Sequence, residues 1–197
     1  MGVFEDFFRE LDAAWGARSE ERVRLRIIGS AALMLQTDYV RGTKDSDVLE
    51  TADLTSEIKG KLLTLGGKGS RLFERHRMYL EIVAPGIPFL PQGALWHPLD
   101  GLNGALQSFE IAALDVVDVV VSKLKRAHAA DMDDVAEMVD RGLVPHARLI
   151  ERFRSAVDVF THDARASDLP RYIAALHRVE RDFFAASPTE IDLPDWL

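Results

Sequence analysis

Two carboxylates separated by a single residue, Asp45 and Asp47, are the part of this sequence best suited to chemistry. They enter a segment, 46–50, that reads as a strand, where side chains at i and i+2 leave the same face about 6.5 to 7 Å apart at Cα. Acids so placed can share a divalent cation, and Mg²⁺ takes one or two carboxylates and fills the rest of its shell with water and substrate phosphate. Glu81, between Leu80 and Ile82 on a further expected strand, could supply a third. Gly29-Ser30 is the complement: a residue without a side chain lets backbone approach phosphate, and the helix start beyond it offers N–H donors and the positive end of a dipole. Together these residues suit a nucleoside triphosphate carried with Mg²⁺ or Mn²⁺.

Each residue also has a plainer reading. Gly-Ser after a strand is a common turn into a helix, Asp45 and Asp47 could be solvated turn residues at a strand start, and Glu81 could serve to keep an exposed strand soluble. Arg41 could bind phosphate or anchor its loop by pairing with an acid. The nucleotide reading is favoured because Gly29 and Ser30 are followed so closely by Tyr39, Arg41, Thr43 and the two acids. None of the six histidines has ligand spacing, and none is assigned a metal. Phe183-Phe184, Trp96 and Trp196 read as core or partner-packing residues.

The elements that must position these groups follow from periodicity. Phe4, Phe7, Phe8, Leu11 and Trp15 recur at helical spacing before Gly16. Val23, Leu25 and Ile27 alternate with Arg22, Arg24 and Arg26 as in a half-buried strand, with Gly29-Ser30 at its end. Helix over 31–36, a loop over 39–43 and a strand from 46 to 50 come next. A helix over 55–65 stops at Gly66-Gly67, and 71–74 with 78–83 is expected to form a hairpin turning near Arg75-His76. From Pro85 to Gly104 the chain reads as an irregular loop pinned by Phe89, Leu90, Leu95 and Trp96, and 108–112 as one more short strand. Helices are expected over 115–129, 131–141, 145–160 and 170–185. The chain thus divides into an α/β half, 1–113, and a helical half, 114–197, joined without a linker as in one compact unit.

The 197 residues, 47% hydrophobic, are enough for a core. There is no cysteine, which excludes disulfides, zinc–thiolate sites and thiol nucleophiles. The acidic N-terminus lacks the pattern of a secretory signal, and no apolar stretch reaches membrane-spanning length, so the expected location is the cytoplasm with no membrane partner. The net charge of −8 argues against binding nucleic acid over the whole surface. From Arg18 to Arg77, however, 12 basic residues face 9 acidic ones, net +3, so a polyanion would dock on the first half.

With those residues in view, Ile28-Gly29-Ser30 followed by Tyr39-Val40-Arg41-Gly42-Thr43-Lys44-Asp45-Ser46-Asp47 resembles the first motif of the AbiEii-type branch of the nucleotidyltransferase superfamily. Glu81 matches its second, single-acid motif. Ser122-Lys123-Leu124-Lys125-Arg126 with Asp131-Met132-Asp133-Asp134 resembles its third, a lysine ahead of an Asp-x-x-Asp pair on helices. The resemblance covers roughly 25–140. It implies a nucleotidyltransferase fold, a mixed β-sheet flanked by helices with a helical C-terminal half. Its activity would be transfer of a nucleotidyl group from an NTP to a hydroxyl of tRNA, other RNA or protein. It also implies Asp45, Asp47 and Glu81 as metal ligands, Gly29, Ser30, Arg41, Thr43 and Lys123 around the nucleotide, and Asp131 or Asp134 as base or orienting group. Relatives in that branch include toxins held by a cognate antitoxin.

Two positions depart from the pattern. Ser46 replaces an apolar residue, which suggests a strand edge near solvent, and Ala130 replaces an arginine that could contact phosphate. Two residues of the third motif also have ordinary alternatives, Lys123 as a solvated neighbour of the Val117, Val120, Val121 and Leu124 face, and Asp131 as a helix N-cap. The expected function is therefore a Mg²⁺-dependent nucleotidyltransferase. The alternatives are a catalytically weak or inactive nucleotide- or partner-binding module of the same fold, and a purely structural, oligomer-forming helical protein.

Overall fold

The computed structural model describes residues 3–16 and 21–194; Trp196 lies outside them. The chain divides into two compact units. One takes the residues up to Ile87 together with Trp96–Leu114, and the other takes Pro88–Leu95 and the chain from Asp115 onward.

The first unit is built on a five-stranded mixed sheet. Helix α1 (Val3–Trp15) precedes β1 (Val23–Ile28), α2 (Gly29–Gln36), β2 (Asp45–Leu49), α3 (Ser56–Gly66), α4 (Arg71–His76) and β3 (Tyr79–Val83). Strand β4 (Trp96–Pro98), the short α5 (Asp100–Asn103) and β5 (Phe109–Leu114) complete it, in the spatial order β3-β2-β1-β5-β4. β1 runs antiparallel to β2 and parallel to β5, while β2 and β3 are parallel. Alternation assigns the two faces. Leu25, Ile27, Ser46, Val48, Leu80, Phe109, Ile111 and Ala113 are buried, and α1 covers that face with Trp15 edge-on to Phe109 at 5.0 Å between ring centres. Arg24, Arg26, Asp45, Asp47, Tyr79 and Glu81 occupy the opposite face and are exposed or half-buried.

Two expectations fail here for identifiable reasons. The expected hairpin is replaced by α4 and a parallel strand: Ser70 Oγ accepts the Phe73 N–H at 3.1 Å as an N-cap, and Arg77 closes the helix in the left-handed region at φ 57°. The segment read as irregular contains β4, whose Trp96 pairs with Leu114. Loop composition concealed that strand because Pro98 and the glycines around it dominate the local pattern.

The second unit is helical: α6 (Val116–Leu124), α7 (Ala129–Asp140), α8 (His146–Phe160), the 3₁₀ turn 166–168, and α9 (Leu169–Phe184). Its core gathers Phe89 against Phe153, Phe160 and Tyr172, with ring centres 5.4, 4.9 and 5.1 Å away. Phe89 thus pins its loop, as expected, whereas Leu95 is exposed. Phe183 and Phe184 are half-buried, and the Phe184 ring lies 4.9 Å from that of His146. Asp118, fully buried, is held bidentately by Arg152 at 2.6 and 2.7 Å and also accepts the Leu95 N–H at 2.9 Å. Such planar pairing is what makes a buried carboxylate tolerable.

Beyond Phe184, the chain is held by Glu180, which is fully buried. Its carboxylate accepts from the Thr189 N–H at 2.9 Å and from the Thr189 hydroxyl, and lies 3.1 Å from His146 Nε2. Burial pushes its pKa up, but the hydrogen bonds from Thr189 and His146 outweigh that, and the net shift is downward. No helix among the described residues is long and apolar enough to cross a membrane.

Candidate functional site

The turn that ends β1 and the acids of β2 meet because the strands are antiparallel neighbours. Ile28 is the register partner of Asp47, which places Gly29 beside that side chain. Gly29 adopts φ +67°, and a Cβ added there would lie 2.9 Å from Asp47 Oδ2. Two properties of glycine are therefore used at once, the left-handed backbone and the missing side chain. α2 begins at this residue, and Ile28 at its N-cap offers no side-chain oxygen to the first-turn amides. An anion approaching the turn meets the positive end of the helix.

Asp45 projects from the same face as Asp47 and accepts the Thr43 hydroxyl at 2.5 Å. Arg41 Nη1 donates to Ser30 Oγ at 3.1 Å, which ties the loop between α2 and β2 back to the glycine turn. The parallel register pairs Asp45 with Tyr79 and Asp47 with Glu81, so Glu81 shares the acidic face. It is exposed, on the edge strand. Burial first, and then the negative charges of Asp45, Glu81 and Asp47, push the Tyr79 hydroxyl above its ordinary pKa. Gly29, Ser30, Arg41, Thr43, Asp45, Asp47 and Glu81 are thus brought together at one end of the sheet.

Ser46 corrects an expectation. β2 lies between β3 and β1, and Ser46 is fully buried on the covered face rather than near solvent. Its Oγ has no hydrogen-bond partner. The serine therefore leaves the acidic pair undisturbed and costs stability in the layer behind it.

The donor set suits a hard cation in part. Among the described residues no group of three or more His, Asp or Glu side chains is gathered as a ready-made cation site. Two carboxylates on one face beside a phosphate-accessible turn nonetheless match how Mg²⁺ is held, through one or two acids with water and substrate oxygens completing the shell.

Lys123 and Asp131 are brought to each other, within the second unit. Lys123 is buried, with Nζ 3.3 Å from Asp131 Oδ1 and 2.6 Å from Asp134 Oδ2, and Arg126 Nη2 lies 3.0 Å from the same Asp131 oxygen. Lys123 is not a solvated neighbour, and Asp131 is not the N-cap: α7 starts at Ala129 and His128 occupies that position. Asp134 is fully buried.

Sequence reasoning missed Tyr79. Its parity with Glu81, two residues along the same strand, was sufficient to place it on the acidic face.

A mixed sheet with an acid pair facing a glycine turn, helices around it and a helical C-terminal unit define a nucleotidyltransferase-like α/β protein. The chain belongs to the DUF6036 family, described as nucleotidyltransferase of unknown function, whose model it matches over residues 6–173. The match extends beyond the 25–140 covered by the motif resemblance, taking in α1 and the start of α9, and it supports the superfamily rather than the AbiEii branch. No curated protein and no solved structure matches the chain.

Proposed function

We propose that this protein is a Mg²⁺-dependent nucleotidyltransferase that moves a nucleoside monophosphate from an NTP to a hydroxyl of RNA or protein. The observation that carries the reading is the approach of the Asp47 carboxylate to the bare Cα of Gly29, with Asp45 on the same sheet face. Asp45 and Asp47 would hold the ion, which when bound neutralises triphosphate charge. The chain's own residues do the rest. The Gly29-Ser30 turn receives phosphate at the positive end of α2, Arg41 brings a guanidinium to that turn through Ser30, and Thr43 fixes the orientation of Asp45. Glu81, at the edge of the acidic face, is positioned to accept the proton of an incoming hydroxyl.

Lys123 could take the phosphate-contact role implied by the resemblance only by leaving two buried carboxylates, at a cost of about 3–5 kcal/mol. Asp131 is likewise engaged by Lys123 and Arg126. We assign these residues to holding α6 and α7 together. A toxin governed by an antitoxin remains the finer form of the proposal, suggested by the motif resemblance alone.

The test is label transfer. An Asp45→Ala/Asp47→Ala variant is expected to keep its thermal transition while losing Mg²⁺-dependent incorporation from α-labelled NTP into protein or RNA acceptors; undiminished incorporation would overturn the reading. The exposure of Glu81 favours a second reading, a binding module without turnover. That reading expects NTP to raise Tm with no product formed from any acceptor.

A further inference from the structure

We propose that Tyr79 is a nucleotidylation site of the protein itself, its phenol taking the acceptor position when no other hydroxyl is supplied. The assignment rests on the nucleotidyl-transfer reading and names an acceptor for it. Strand order supplies the geometry. The phosphate-receiving turn closes β1, the acids stand on the neighbouring β2, and Tyr79 and Glu81 stand on β3, on the far side of β2. In-line displacement requires the attacking oxygen and the departing pyrophosphate on opposite sides of the α-phosphorus. A triphosphate whose β- and γ-groups rest at Gly29-Ser30 presents its α-phosphorus over Asp45 and Asp47, with the β3 side open to the nucleophile.

Among the hydroxyls at this end of the sheet, that of Ser30 accepts from Arg41 and that of Thr43 donates to Asp45. Tyr79 donates no side-chain hydrogen bond to any described residue. Its ring is half-buried and stands edge-on to Phe73 of α4, with ring centres 5.6 Å apart, so the phenol is held on the acidic face rather than swinging into solvent. Register places it beside Asp45, and two residues further Glu81 shares its face. In the step, the phenolic oxygen forms a bond to the α-phosphorus and the bond from that phosphorus to the bridging oxygen of the β-phosphate breaks. Pyrophosphate leaves with the electron pair, and the phenolic proton passes to the Glu81 carboxylate. The product is a tyrosyl nucleoside-monophosphate diester, and no oxidant or reductant is needed.

The experiment incubates the full-length protein with each of the four NTPs and Mg²⁺, reads intact mass, and locates any added nucleotidyl group by fragmentation of the tryptic peptide 78–123. That peptide holds Tyr79 as its single tyrosine. The expected result is a nucleotidyl adduct on Tyr79 that is lost in Tyr79→Phe and in Asp45→Ala/Asp47→Ala. Tyr79→Phe keeps the ring contact with Phe73, so its Tm without nucleotide should match the parent, and its Tm should still rise with Mg²⁺-NTP. An adduct on another residue, or one undiminished in Tyr79→Phe, overturns the assignment and leaves nucleotidyl transfer standing. A Tm rise with no adduct on the parent protein also overturns it. Neither a Tm rise nor an adduct, with no transfer to any added acceptor, overturns both.

Discussion

At Gly29, a single methyl group would undo the site. Alanine there must hold φ near +67° and place its Cβ 2.9 Å from Asp47 Oδ2, so Gly29→Ala is expected to lose about 1–2 kcal/mol of stability. The more telling effect is on nucleotide. The displaced carboxylate should abolish the Tm rise with Mg²⁺-NTP, a loss that backbone strain alone would not produce. Ser46 predicts the reverse. Removing a buried hydroxyl that has no partner should make Ser46→Ala more stable by about 1 kcal/mol, or about 2–4 °C in Tm. Differential scanning calorimetry reads both. Gly29, Asp45 and Asp47 were legible in the sequence because a strand's two-residue period and a turn's glycine are local signals. The burial of Ser46 was not, because it depends on β2 having a neighbour on each side, which only topology supplies.

At the scale of elements, the charges between α6 and α7 carry the clearest expectation. Asp134→Ala leaves the buried Lys123 ammonium short of one partner, and a loss of about 3–5 kcal/mol is expected in urea unfolding. Replacing both ends, as in Lys123→Met/Asp134→Leu, should recover most of it, and a double variant no better than the single would contradict the structural role assigned to the pair. The motif resemblance singled these residues out together, while their pairing with one another depended on burial that composition does not reveal. α4 shows the same limit. Ser70 and Arg77 bound a one-and-a-half-turn helix too short to develop a recognisable period, so the pair of apolar residues Leu72-Phe73 was compatible with either element.

For the whole molecule, acid is the informative stress. Asp163 is held at a pKa of about 2, against 3.8, chiefly by the hydrogen bonds from Arg165, and Glu180 is also shifted downward. Groups with depressed folded pKa values contribute stability that is present above the ordinary carboxylate range and disappears as pH falls through the folded value. Tm is therefore expected to be flat above about pH 5 and to fall toward about pH 2. Glu180→Gln should lower Tm at neutral pH and reduce that acid dependence, because the buried carboxylate that holds Thr189 is then gone. A parallel fall in the variant would mean that other acids dominate.

The placement of Phe89 has a consequence for the order of events during synthesis. The segment 88–95 interrupts the sheet unit in sequence but belongs to the helical one, and its aromatic partners Phe153, Phe160 and Tyr172 emerge from the ribosome long afterwards. Strand β5, flanked by β1 and β4, can finish the sheet as soon as it leaves the exit tunnel, whereas the loop carrying Phe89 must wait with an uncovered ring. Nascent chains stalled with Leu114 just outside the exit tunnel should for that reason recruit chaperones at this loop, and release them once α9 has emerged.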